Sequence, residues 1–200
     1  MSGTGSAQVW LVRHGETEWS VSGQHTSWTD LPLTQHGEEQ AKSLAPLLSQ
    51  RTYALALTSP LGRAIRTAEL AGIPAAVVEP DLHEWDYGGY EGITTVEIHR
   101  TRPDWYLWTD GVPPGPDGHP GESPEQTGQR ADRVLSRVDA ALPDGDVILV
   151  AHAHFLRVLT ARRLGLPPAD GRLFQLATGT VSRLSTEHDR PVIAEWNTRP

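Results

Sequence analysis

A three-layer α/β fold, with a mostly parallel central sheet and helices on both faces, is predicted by three observations. Two continuous apolar runs, Val9-Trp10-Leu11-Val12 and Val147-Ile148-Leu149-Val150-Ala151, read as strands buried on both faces. Strand-like and helix-like segments alternate along the chain, as parallel strands joined by crossover helices require. The 200 residues suit one domain with a sizeable core, and no internal repeat or interdomain linker divides them.

The elements follow in order. Residues 1–7 are small and polar, without a basic n-region or an apolar h-region, so they read as a loose leader and not as a secretory signal. Beyond the first strand, Thr34 caps a helix running toward Gln50, with apolar positions at Ala41, Leu44, Leu47 and Leu48. Pro46 should kink or split it. Residues 53–58 predict a second strand. Ser59-Pro60 supplies an N-cap with proline at the first helical position, opening a helix through Arg63, Arg66 and Thr67 to a stop near Gly72. Residues 75–78 read as a short strand.

Residues 103–122 are dense in proline and glycine, interleaved with Trp105, Tyr106 and Trp108, so no regular element is expected to persist there. The segment reads as a long excursion or lid, with Trp105 and Trp108 packing inward rather than stacking on a ligand. Ser123-Pro124-Glu125-Gln126 matches a capping box and starts a long helix to about Leu142. The strand ending at His152 follows, then a helix to Gly165 and strands near 181–185 and 192–196.

Composition narrows the function classes. No apolar run approaches the roughly 20 residues of a membrane span. The absence of cysteine excludes disulfides and thiolate chemistry and leaves the cytoplasm as the default compartment. A formal charge of −8 argues against a nucleic-acid surface. An anionic partner must then be held by a few local arginines, which favours a small phosphorylated ligand.

Arg13-His14-Gly15 stands at the carboxyl end of the first strand, where open α/β sheets bind ligands. The 147–151 strand delivers a second imidazole, His152. Phosphoryl transfer spreads negative charge over three equatorial oxygens, so its catalysis is mostly positioning and electrostatic stabilisation. Neutral imidazole is a competent nucleophile near pH 7 without a metal. Two imidazoles with arginines nearby therefore point to chemistry on phosphate.

Six ordered blocks resemble the histidine phosphatase superfamily, which includes the cofactor-dependent phosphoglycerate mutases. They are Leu11-Val12-Arg13-His14-Gly15-Glu16-Thr17; Leu33-Thr34 with Gly37 and Gln40-Ala41; Ser59-Pro60-Leu61-Gly62-Arg63-Ala64 with Thr67-Ala68; the run Glu84-Trp85-Asp86-Tyr87-Gly88-Gly89-Tyr90-Glu91-Gly92; Gly121-Glu122-Ser123; and Ala151-His152. The resemblance spans nearly the whole chain and implies one domain over 1–200. It implies His14 as a nucleophile forming phosphohistidine, Arg13 and Arg63 as a clamp on phosphate oxygens, and His152 as a third positive group if the phosphate protonates it. It implies Glu84 as general acid and base, with Asp86, Glu91 and Glu122 as competing carboxylates. A carboxyl group beside a dianion has a raised pKa, which suits an acid. Gly88 and Gly89 would let the backbone after it fold closely.

Further substrate contacts map to Ser20, Thr26 and Ser27, where the mutases carry asparagine and a threonine-glycine pair. Ala153 replaces the mutases' glycine after the second histidine. Ala151-His152-Ala153-His154 with Leu156-Arg157, together with Trp19 and Glu84-Trp85-Asp86-Tyr87-Gly88, resembles the branch containing sedoheptulose bisphosphatases and actinobacterial acid phosphatases. That likeness makes Ala153 and His154 pocket-wall residues.

A histidine pair spaced like His152 and His154 can bind zinc on a strand, but no companion cluster has metal-ligand spacing. No metal and no cofactor are expected. Mutases carry a basic insertion before the Gly-Glu-Ser block; here that segment offers only Arg100 and Arg102, then an uncharged stretch broken by Asp104, Asp110 and Asp117. The expectation is a metal-independent phosphomonoesterase acting on a small metabolite such as a sugar phosphate. A phosphoglycerate mutase and a non-catalytic phospholigand-binding module are the alternatives. A homodimer is implied only by relatives, and neither a nucleic acid nor a membrane is an expected partner.

Overall fold

The computed structural model describes residues 7–73, 75–116 and 118–199. Strands β1 (Val9–Arg13), β2 (Leu55–Thr58), β3 (Val77–Val78), β4 (Val147–Ala151), β5 (Val181–Glu187) and β6 (Arg190–Thr198) form a single sheet in the order β3-β2-β4-β1-β5-β6. The pairs β3–β2, β2–β4 and β4–β1 are parallel, whereas β5 runs antiparallel to both β1 and β6. The helices are α1 (Glu18–Ser22), α2 (Gln35–Ser43), α3 (Ala45–Leu48), α4 (Gly62–Leu70), α5 (Thr95–His99), α6 (Leu107–Asp110), α7 (Pro124–Ala141) and α8 (Ala153–Arg163).

Alternation along the central strands creates the three layers. Val9 and Leu11 of β1, with Val147 and Leu149 of β4, face Val134 and Val138 of α7 and Phe155 and Leu159 of α8. Trp10 and Val12, with Ile148 and Val150, face Leu44, Leu48, Ala64 and Ala68 on the opposite side. Successive strand residues point to opposite faces, so strands covered on both sides must be apolar throughout. Every residue of β4 is buried.

Several expectations meet a different local geometry. The helix after Thr34 splits at Leu44, and Pro46 sits in the first turn of the second piece, where its missing N–H costs nothing. The helix expected from Ser59-Pro60 begins later, at Gly62, with Leu61 in the capping position and no side-chain cap. Ser59 Oγ accepts from Leu61 N at 3.3 Å, short of the helix itself, and lies 2.7 Å from His152 Nε2. The Pro/Gly-rich excursion contains one helical turn, α6, and is anchored by buried Trp105, Leu107 and Trp108. Trp105 Nε1 donates to the Gly111 carbonyl at 2.8 Å. The proposed loose leader lies outside the described residues except for Ala7. Among the described residues, no helix is long and apolar enough to cross a membrane.

Candidate active site

Register brings the two histidines together. Parallel β1 and β4 pair from Val9↔Val147 to Arg13↔Ala151, so both strands end at the same level. The His14 N–H then donates to the Ala151 carbonyl at 3.0 Å, and the His14 and His152 ring centroids lie 5.0 Å apart. The neighbouring β2 ends at this level too, with Ser59 N–H donating to Val150 at 2.9 Å. Arg63 follows in the first turn of α4. The site thus occupies the carboxyl edge of the parallel strands, beside the strand where direction reverses.

The turn after His14 depends on glycine. A Cβ on Gly15 would lie 2.2 Å from the Gly37 carbonyl oxygen, and one on Gly37 would lie 2.1 Å from that of Glu16. The loop after β1 and the start of α2 therefore touch backbone to backbone. Gly15 N–H donates to Thr67 Oγ1 at 3.0 Å, which ties this loop to α4 as well.

His14 Nδ1 lies 2.7 Å from the Gly15 carbonyl, so Nδ1 carries the proton and donates it there. Nε2 is left with its lone pair. Burial, then the charges of Arg63 and Arg13, hold the imidazole well below its usual pKa. Arg13 donates through Nη1 to the Leu176 carbonyl at 2.6 Å, while its buried Nε has no hydrogen-bond partner in the protein. A buried N–H of a permanent cation calls for an anion.

Arg63 and His152, at 1% and 0% exposure, do not line the cavity around His14, and Arg63 borders a separate one with Asp30 and Arg66. Arg63 donates to the carbonyls of Thr29 at 2.9 Å, Ser27 at 2.9 Å and Thr26 at 3.3 Å, which fixes the 26–29 loop. Its Nε donates to His152 Nδ1 at 3.3 Å, so the His152 proton sits on Nε2 and is directed at Ser59 Oγ. Burial, then the charge of Arg63, hold the His152 imidazole well below its usual pKa, and a ring that accepts at Nδ1 is neutral; the expectation that phosphate protonates it concerns the loaded site. The positive charge belongs to Arg13 and Arg63.

Glu84 reaches the pocket from the turn after β3. Its Oε1 accepts from Trp85 N at 2.9 Å and Phe155 N at 2.8 Å, and its Oε2 from His154 N at 3.1 Å. The carboxyl group therefore sits on the N-terminus of α8, where backbone N–H groups and the helix dipole suit an acidic side chain. Arg130 of α7 secures the preceding chain by donating to the carbonyls of Asp81 at 2.6 Å and His83 at 2.9 Å.

The competing carboxylates have other partners. Glu122 forms a two-pronged pair with Arg130, at 2.8 and 2.7 Å. Asp86 accepts from Gly88 N and Gly121 N, and Glu91 from Ser27 N and Thr29 N. Gly88 has a φ of +52° and lies so near Pro113 that a Cβ would meet its carbonyl at 2.3 Å.

The cavity around Arg13, His14 and Glu84 encloses about 210 Å³. Ser20, Thr26, Ala153 and His154 line it. Ser20 also completes the α1 capping box with Thr17. Ser27 does not line it, because Glu91 and Arg63 bind its backbone and turn it toward a neighbouring cavity bordered by Trp28 and His119. Gln24, His25, Tyr87 and Thr95 also line it, beside Thr17, Trp19 and Gly23, and none of these four is a site residue predicted from the sequence. Tyr87 stands three positions beyond Glu84 and His25 one before Thr26, so neighbourhood to motif residues was the available signal.

Fold and pocket together define an α/β protein with a histidine, an arginine and a carboxyl group gathered at the carboxyl edge of its parallel strands. The chain belongs to the histidine phosphatase superfamily (branch 1), whose sequence profile matches residues 9–199. An acid phosphatase of Mycobacterium tuberculosis is 38% identical over 188 residues, covering 93% of this chain and 90% of that one. The sedoheptulose 1,7-bisphosphatase of Saccharomyces cerevisiae is 35% identical, covering 78% and 67%. These two relatives match the branch that the sequence blocks resembled. Among solved structures, an open reading frame product of Mycobacterium tuberculosis superposes with a TM-score of 0.89 at 36% identity, over 96% of this chain and 98% of that one.

Proposed function

We propose that this histidine phosphatase is a metal-independent phosphomonoesterase acting through phosphohistidine at His14 on a small phosphorylated metabolite, with a sugar phosphate favoured. One observation carries the reading: His14 presents a deprotonated Nε2 in a pocket where the buried Arg13 Nε has no partner. A sugar phosphate accords with the yeast bisphosphatase and with a glucosyl-3-phosphoglycerate phosphatase from a mycobacterium, 27% identical at a TM-score of 0.81 over 96% of this chain and 99% of that one.

In the proposed cycle His14 Nε2 attacks phosphorus and the ester P–O bond breaks. Glu84 gives its proton to the departing alcohol oxygen. Water then attacks the phosphohistidine, Glu84 takes up its proton, and the P–N bond breaks to release phosphate. Arg13 and Arg63 offset the charge on the equatorial oxygens. Arg63 does so from behind the 26–29 loop, which it also positions. His152, which accepts from Arg63, orients Ser59.

The mutase alternative requires cations for a carboxylate and a second phosphate. Arg102 instead donates to Tyr90 Oη at 3.2 Å, and neither Arg100 nor Arg102 lines the pocket. A 2,3-bisphosphoglycerate-dependent phosphoglycerate mutase of Cytophaga hutchinsonii is 33% identical over 181 residues, covering 84% of this chain and 83% of that one, so the assay must compare both reactions. Phosphate release from a panel of phosphomonoesters should exceed interconversion of 2- and 3-phosphoglycerate. Faster interconversion would replace this reading with the mutase. Chelators are expected to leave hydrolysis unchanged. A single domain, a cytoplasmic setting and a homodimer belong to the same proposal, and sedimentation tests the last.

A further inference from the structure

We propose that His25, Tyr87 and His154 form a hydroxyl-recognition wall, so that the substrate is the phosphomonoester of a neutral, hydroxyl-bearing alcohol without a second anionic group. This rests on the phosphomonoesterase reading and deepens it to a substrate class.

The three side chains are contiguous on the pocket wall. The His25 and Tyr87 ring centroids are 4.8 Å apart, and those of Tyr87 and His154 are 5.8 Å apart. Each imidazole has one nitrogen fixed from behind. His25 Nδ1 lies 2.6 Å from the Ile93 carbonyl, so it donates there and Nε2 is a bare acceptor. His154 Nδ1 lies 2.6 Å from Tyr87 Oη. Burial, then the nearby Glu84 and Glu91, hold the Tyr87 pKa well above its usual value, and a protonated phenol pairs with either tautomer of His154. Among the described residues neither Nε2 has a hydrogen-bond partner. The wall therefore offers an acceptor at His25 Nε2 and a second polar nitrogen at His154 Nε2, groups that a hydroxyl, itself donor and acceptor, can satisfy in either tautomer.

Charge argues for the neutral class. Among the described residues lining this cavity, Arg13 is the one cation and Glu84 the one carboxyl group, and both belong to the phosphoryl end. Burial, followed by the charge of Arg157, holds His154 well below its usual pKa; burial likewise lowers His25. Arg157 itself does not line the cavity. It donates to the carbonyls of Gly171 at 3.1 Å and Arg172 at 3.2 Å and lies 4.7 Å over the Trp108 ring. A carboxylate or second phosphate in the distal half would meet neutral lining groups and Glu84, with Arg157 tied to the Gly171 and Arg172 carbonyls and no lining cation to bond it directly.

The cavity of about 210 Å³ suits a three-carbon comparison. Hydrolysis of glycerol 1-phosphate, propyl phosphate and 3-phosphoglycerate would be measured with wild type, Tyr87→Phe and His154→Phe. The expected wild-type kcat/KM for glycerol 1-phosphate exceeds that for propyl phosphate by about tenfold or more, with 3-phosphoglycerate the poorest. Tyr87→Phe, a conservative change that removes the hydrogen bond holding His154 Nδ1, should shrink the glycerol-to-propyl ratio toward one, as should His154→Phe. The proposal is overturned if 3-phosphoglycerate matches glycerol 1-phosphate, if the wild-type ratio is near one, or if Tyr87→Phe leaves it unchanged. Failure of the underlying reading looks different: none of the three esters releases phosphate and none labels His14. That result would remove both proposals.

Discussion

Arg63 donates through Nε to Nδ1 of His152 at 3.3 Å, so a permanent cation is hydrogen-bonded to an imidazole that must stay neutral to accept. That contact separates two properties that strand-end histidines alone leave merged. One residue supplies charge, and the other supplies shape and a relay to Ser59.

Acid should affect activity and stability in different ways. His14, His152 and His154 are each depressed well below the usual 6.5, chiefly by burial. The attacking His14 thus remains deprotonated as pH falls past 6.5, and the acid limb of kcat/KM should lie below that value. Stability moves the opposite way. The unfolded chain binds protons at these histidines near 6.5 while the folded chain does not, so their contribution is complete above 6.5 and lost progressively below it. Melting temperature should fall from pH 7 toward pH 5, less steeply in His154→Phe. An acid limb at the ordinary imidazole value would contradict the first part; a flat melting profile would contradict the second.

Glu84→Gln keeps the acceptor for Phe155 N but removes a transferable proton. The expected loss in kcat/KM, which reports the steps up to phosphohistidine, is about 10²–10⁴-fold for alkyl phosphates and far less for p-nitrophenyl phosphate, whose leaving group needs no proton. An equal loss for both esters would assign Glu84 a structural role only.

Gly15→Ala should destabilise the fold by about 2 kcal/mol or more, because the new methyl meets the Gly37 backbone in the first turn of α2. Urea unfolding checks this. A variant within about 0.5 kcal/mol of wild type would show that the two loops can separate at little cost.

Legibility in the sequence followed the range of the interactions. Strand β4 was readable to the residue because burial on both faces imposes a local pattern, and α7 because its capping box lies within four consecutive residues. The helix after Ser59 starts later than its serine-proline signal suggests, because that hydroxyl bonds Leu61 N in a turn and also pairs with a residue 93 positions away. Ser27 lines the neighbouring cavity for a similar reason: Glu91, 64 positions on, holds its backbone. The α6 turn went unforeseen inside proline-rich chain, where buried Leu107 and Trp108 override local propensity. Arg13 and His14 were foreseeable as strand-end groups, but the tautomer of His14 and the neutrality of His152 arise from contacts that no motif records.

The central claim is that position 14 carries the phosphoryl group during turnover. Rapid-quench digestion with ³²P-labelled substrate should recover an acid-labile, base-stable phosphohistidine at His14, absent in a folded His14→Ala variant whose kcat is reduced about 10³-fold or more. Steady turnover with position 14 unlabelled at every quench time would contradict the account.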